Sequence, residues 1–204
     1  MDASDEADAV ATASSSLGAL PPGIEFYMSR SEMNTARGSL KDEFKRTYRV
    51  WAAWYAGTYA AATEVFAATG KPHQLVVLNP DGLTARGAAE TFNRDFDHMI
   101  RDIKTTIDKA LTAGVEVFLY DGPITPMVIG EPESGNGWVR VELPIPHSGE
   151  RPNIVVHQRE QPELFQELLN GYKALRDNPN NSTYGKGRTV DPIPEGQTIY
   201  QRPV

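Results

Sequence analysis

Two strongly apolar runs bracket an amphipathic helix in the middle of this chain, and that arrangement constrains the fold more than anything else in it. HQLVVLNPDG carries four consecutive apolar residues, Leu75 to Leu78, and then the turn Asn79-Pro80-Asp81-Gly82. VEVFLYDG carries a second run, Val115 to Tyr120. Strands apolar on both faces belong to sheets covered on both sides. Between them, Phe92, Phe96, Met99, Ile100, Ile103, Ile107 and Leu111 recur at three- and four-residue steps, the period of one helix face. The spacing predicts one long helix from about Ala88 to Ala113, closed by Gly114. Strand, helix, glycine, strand is a βαβ unit, so the sheet is parallel at this point and the crossover right-handed.

The elements on either side extend this unit. IEFYMSR, residues 24 to 30, reads as a strand. Ser39 to Tyr48 reads as a helix, with Ser39 as its cap and Leu40, Phe44 and Tyr48 at four-residue spacing. Val50 to Ala56 fits a buried strand ending at Gly57, followed by a short helix to Gly70. Yet Trp51, Trp54, Tyr55, Tyr59 and Phe66 also stripe a helix. Periodicity alone does not decide between them, and the position just after a helix favours the strand.

Beyond the βαβ unit the chain becomes strand-rich. MVIGE and GWVRVELPIP flank the turn Ser134 to Gly137 as a hairpin, with Val139, Val141 and Leu143 on one face and Trp138, Arg140 and Glu142 on the other. NIVVHQ is a further strand. Pro162 opens a last helix whose buried face is Leu164, Phe165, Leu168, Leu169, Tyr172 and Leu175. The fold class expected is α/β: a single domain with a mixed β-sheet flanked by helices.

Composition sets the limits of that domain. Of 204 residues, 40% are hydrophobic and 23% charged, enough for one ordinary core. Residues 1–23 hold few large apolar groups and read as a disordered N-terminal lead. Residues 24–177 form the domain, and residues 178–204, rich in Asn, Gly and Pro, read as a loose C-terminal tail. The opening residues lack the basic and apolar regions of a signal peptide, and no apolar run reaches the ~18 residues of a membrane helix. The expectation is a cytoplasmic protein without membrane insertion. A formal charge of -7 disfavours nucleic acid as a partner. The absence of cysteine removes disulfides, Cys-type zinc sites and Cys nucleophiles.

Two phrases resemble the phospholipase-D-like domain family: AGVEVFLYD, Ala113 to Asp121, and NIVVHQREQPELFQELLNGYKALRDN, Asn153 to Asn178. In that family a helix-to-strand junction like the first precedes a catalytic His-x-Lys-x4-Asp, and a strand and helix like the second close the domain. The resemblance implies a phospholipase-D-like fold and a tendency to pair, so that a homodimer is expected. Laying the motif on PITPMVIGEP puts Pro123, Thr125 and Gly130 where His, Lys and Asp would stand. Asp121 to Gly137 contains no His and no Lys in any frame. A catalytically degenerate member is implied, with no catalytic residue, no metal and no cofactor to assign.

Candidate ligand-binding residues are therefore sought at the strand ends. In parallel sheets ligands bind beyond the carboxyl ends of the strands, which selects Asn79, Asp81, Tyr120 and Asp121. Asp-Gly is also an ordinary turn dipeptide, and both aspartates carry that plainer role. Arg30, after the first strand, and Arg86, near the start of the long helix, are candidates for an anion. His147, in a loop beside Ser148 and Glu150, is a further candidate. His157 shares its standing, while His73 and His98 rank below, and no pair among the four has metal-ligand spacing. The function expected is a non-catalytic sensor or interaction domain that binds a phosphorylated or nucleotide-like ligand or a protein partner. The alternative is a diverged metal-dependent phosphodiester hydrolase using Asp81, Asp121, Glu131 or His147, with Mg²⁺.

Overall fold

The structure is a computed structural model, and it describes residues 20–54, 73–91, 93–143, 145, 151–178 and 182–184. Tyr55, Tyr59, Phe66, Phe92 and His147 lie outside the described residues, as does the short helix expected up to Gly70. In chain order the elements are β1 (Ile24–Tyr27), α1 (Arg30–Arg37), α2 (Leu40–Arg46), β2 (Val50–Trp54), β3 (His73–Leu78), α3 (Leu83–Thr91) and α4 (Phe96–Thr112). They continue with β4 (Glu116–Tyr120), β5 (Met127–Gly130), β6 (Trp138–Glu142), β7 (Asn153–His157), α5 (Pro162–Arg176) and β8 (Ser182–Tyr184).

The eight strands form one mixed sheet in the order β1-β7-β6-β5-β2-β3-β4-β8. β2, β3 and β4 run parallel, with Leu75 opposite both Ala52 and Val117. Every other neighbouring pair is antiparallel, including the expected β5–β6 hairpin, where Val128 faces Arg140. The central strands are apolar because they are covered on both faces: all five residues of β2 and Leu75 to Leu78 of β3 are buried. The fold class is thus α/β, a single domain whose mixed sheet is flanked by helices.

Alternation along the strands assigns the helices to faces. Trp51 and Arg140 point to opposite sides, since Trp51 pairs with Ile129 and Ile129 with Val139. α5 lies on the Trp51 side, where the Tyr172 ring stacks at 5.5 Å between centroids. α1 lies on the Arg140 side, where Arg30 and Arg37 reach Glu142 and Glu25.

Several expectations are corrected. The long helix from about Ala88 to Ala113 is two helices, α3 and α4. Asn93 takes a left-handed φ of 48°, and Asp95 caps the new helix by accepting from the His98 N–H at 2.7 Å. Asn at a helix end and Asp at a helix start are strong stop and start signals, and here they outweigh an unbroken apolar period. The first strand ends at Tyr27 rather than Arg30. Ser29 caps α1 by accepting from Glu32 N–H at 3.1 Å, a helix the period did not reveal. Leu164 is exposed, while Phe165, Leu169 and Tyr172 are buried as expected. Within the stretch read as a tail, Ser182–Tyr184 pairs antiparallel with β4.

Candidate functional site

The turn after β3 is built from the residues the sequence singled out. Asn79 N–H donates to the Tyr120 carbonyl at 2.8 Å, which ties the ends of β3 and β4 together. The Asn79 side-chain oxygen accepts from Asp81 N–H at 3.2 Å, and Gly82 N–H donates to the Asn79 carbonyl at 3.1 Å. Asp121 then reaches across to accept from Thr84 N–H at 3.4 Å, over the first turn of α3. A Cβ at position 82 would lie 2.2 Å from Asp121 Oδ1, so a larger residue there would push the Asp121 carboxylate off its present position. Gly122 has the same character, with the Tyr120 hydroxyl at 2.6 Å from a Cβ position. Asn79, Asp81, Tyr120 and Asp121 therefore come together, and their visible work is to fold the junction.

Beside that turn lies a groove of about 600 Å³ lined by Pro80, Asp81, Gly82, Leu83, Arg86, Phe96, Asp97, Ile100, Arg101 and Lys104. It opens at the carboxyl end of β3, where parallel sheets present ligand sites. Three of its lining side chains are cations and two are carboxylates. Lys104 Nζ stands 3.8 Å from Asp81 Oδ1. The Arg86 guanidinium lies over the Phe96 ring, 4.4 Å from its centroid. Leu83, at the rim, is 92% exposed. Of the residues proposed from sequence, Asp81 and Arg86 line this groove. Phe96, Arg101 and Lys104 were missed: Phe96 was read only as core, and both cations sit on α4 beside its apolar stripe, where a charge normally marks a solvated face.

Arg30 lies elsewhere. Its Nη2 donates to Glu142 at 2.5 Å, and Arg151 donates to the other Glu142 oxygen at 2.9 Å. Glu142 is buried on the polar face of β6. Burial pushes its carboxyl up, but the charges and hydrogen bonds of Arg30 and Arg151 outweigh that and hold it below the ordinary range. Arg140, also buried, donates from Nε to Asn153 Oδ1 at 3.0 Å.

A second charged cluster adjoins this one. Glu25 receives His157 Nε2 at 2.6 Å, the Tyr27 hydroxyl at 2.5 Å and Arg37 Nη1 at 3.0 Å. Arg37 also donates to the buried Glu43 at 2.9 Å. Burial raises the Glu25 carboxyl, and the hydrogen bonds from Tyr27 and His157, with the Arg37 charge, bring it below the usual value. Tyr27 is pushed up to about 12, by burial first and then by the Glu25 hydrogen bond and charge. His157 thus ties β7 to β1. Glu25 and Arg37 gave no local sequence signal, since their partners lie up to 132 residues away.

The remaining histidines have plain roles. His73 is buried and its Nδ1 accepts from Val50 N–H at 3.1 Å. His98 is on the exposed side of α4, as its position in the period indicated, 3.5 Å from Asp102. At the positions of the family motif, Pro123 and Thr125 are exposed. The third, Gly130, lies against the Trp138 indole, with a Cβ position 2.3 Å from Cε2. An aspartate at 130 would overlap that ring. Among the described residues no group of three or more His, Asp or Glu side chains is placed to hold a metal ion.

A second groove, of about 580 Å³, lies at the opposite ends of the parallel strands and includes Arg49, Trp51, His73, Glu133, Lys173 and Arg176. Two of its cations already have carboxylate partners: Arg49 pairs with Glu133, and Arg176 with Asp177 at 2.6 Å. The Arg86–Lys104 groove lies instead at the carboxyl ends of the parallel strands, the side on which such sheets present ligand sites, and is the better candidate for an incoming anion.

No family model matches the chain, and no curated protein matches it. Among solved structures, the phosphatidylserine synthase of Haemophilus influenzae Rd KW20 aligns with a TM-score of 0.48 and 11% sequence identity. That alignment covers 79% of this chain and 39% of the synthase chain, and at this score it carries no argument about function. Among the described residues no helix is long and apolar enough to cross a membrane.

Proposed function

We propose that this chain is a non-catalytic, phospholipase-D-like binding domain whose groove between α3 and α4 takes a small phosphorylated ligand. The observation that carries the reading is the meeting of Arg86, Arg101 and Lys104 in one groove of about 600 Å³ beside the carboxyl end of β3. A phosphate offers several acceptor oxygens and a negative charge, and guanidinium and ammonium groups are its usual partners. The volume falls in the range of small-molecule sites. Asp81 and Asp121, the carboxylates a hydrolase would need, are engaged with Lys104 and with the α3 backbone. Gly130, where the family places an acid, is covered by Trp138.

Isothermal titration with inorganic pyrophosphate tests the reading. Binding is expected, weakened at least about fivefold by Arg101→Ala or Lys104→Ala, with no turnover of a generic phosphodiester. Mg²⁺-dependent hydrolysis of that phosphodiester, abolished by Asp121→Ala, would establish the diverged hydrolase instead.

A further inference from the structure

We propose that the ligand of the α3–α4 groove is a nucleoside monophosphate, its base on the outer side of the Arg86 guanidinium and its phosphate at Arg101 and Lys104. The inference rests on the anion-binding reading above and adds the chemical class of the ligand.

The groove lining is chemically mixed. It holds a cation-over-ring pair, Arg86 over Phe96 at 4.4 Å, and the apolar side chains Leu83 and Ile100. A guanidinium held over an aromatic ring offers a flat cationic surface of the kind on which nucleobases stack. It also holds two further cations. Arg101 and Lys104 follow Phe96 by five and eight residues, roughly 7.5 and 12 Å along the helix axis. The nearer separation is about what a ribose bridges between a base and its phosphate, and the longer one is closed by the reach of the Lys104 side chain. Asp97 and Asp81 line the groove as well, the latter 3.8 Å from Lys104, and carboxylates there accept from sugar hydroxyls. A bare inorganic anion uses only the cations and leaves the Arg86–Phe96 pair and Leu83 without a partner from the ligand. A nucleotide engages both sets.

The test is calorimetric titration of the full chain with adenosine monophosphate, ribose phosphate and inorganic phosphate. The proteins compared are the native sequence, Arg86→Ala and Lys104→Ala, each checked for folding by circular dichroism. Adenosine monophosphate is expected to bind at least about tenfold more tightly than ribose phosphate, the scale of one stacked base. Arg86→Ala abolishes that preference, and Lys104→Ala weakens both phosphates in parallel. Equal affinity for adenosine monophosphate and ribose phosphate overturns the nucleotide assignment and leaves the anion site standing. A preference that survives Arg86→Ala overturns the placement of the base. Absence of binding by all three compounds overturns the anion site itself.

Discussion

The indole of Trp138 lies against the backbone of Gly130 on the neighbouring strand, so close that a Cβ at 130 would sit 2.3 Å from the ring. Gly130→Ala forces the ring or the strand to move, and overpacking of this kind costs about 1–3 kcal/mol. The cost should fall when Trp138→Ala is made as well, because the obstacle is gone. Urea unfolding of the two single variants and the double variant measures the coupling. Strictly additive losses would contradict the contact.

Glu142→Gln removes the negative charge shared by Arg30 and Arg151 on a buried face and turns one of its two acceptor oxygens into a donor. Breaking a buried pair leaves its partner uncompensated, and with both arginines partly exposed the loss expected is about 2 kcal/mol. The pH dependence has a definite sign. Glu142 and Glu25 titrate below their ordinary values in the folded protein. Their stabilisation is complete above the unfolded-state glutamate pKa and is lost as pH falls through the folded-state values. Stability measured from about pH 6 down to pH 3 should decline, and less steeply in Glu142→Gln. An unchanged slope in that variant would remove Glu142 from the account.

Tyr27 should ionise only near pH 12. Absorbance titration of the phenolate follows it directly, with Tyr27→Phe identifying its contribution. Glu25→Gln takes away a charge and a strong acceptor, so the Tyr27 transition should move part of the way back toward ordinary phenols. It should not return fully, because burial remains.

Asp121 is expected to matter for folding rather than for ligand. Its carboxylate accepts from Thr84 N–H over the first turn of α3, and losing such a cap costs about 1 kcal/mol. Asp121→Ala should lower the melting temperature and leave pyrophosphate affinity within about twofold. A large loss of affinity without a change in melting temperature would make Asp121 a ligand contact.

Asn93 separates α3 from α4 at a left-handed φ of 48°. Asn93→Gly should be neutral or slightly stabilising, whereas Asn93→Val should cost about 1–2 kcal/mol. Equal stability of the two variants, read by thermal unfolding, would show that the break does not depend on this residue.

The central strands were legible because burial on both faces leaves an unmistakable mark: Leu75 to Leu78 and Val117 to Leu119 can be little else. Asp121 and Asp81 were legible by position, since a strand end fixes where a residue stands. Their partners were not, because Thr84 and Lys104 meet them only through the fold. The periodicity of α4 ran on into α3 in the sequence, and the short Asn-Arg-Asp interruption was overruled by the apolar count around it. Arg140 and Glu142 read as one face of a hairpin strand, with no sign of what meets it. Glu142 meets Arg30 of α1, a helix with a single buried residue, Met33, and so with no apolar stripe to announce it. Phe96 and Lys104 share a helix face with core residues, and one helix in isolation cannot tell a groove wall from a core contact.

The polar face of β6 divides the sheet into halves with different sensitivities. Around β2, β3 and β4 the strands are gripped by hydrocarbon, whose attraction is indifferent to protons. Around β1, β7 and β6 ion pairs join the grip, through Glu25, Arg37, Glu142, Arg30 and Arg151. Acid therefore reaches the β1–α1 corner through Glu25 and Glu142, the two carboxyls there held below their ordinary range.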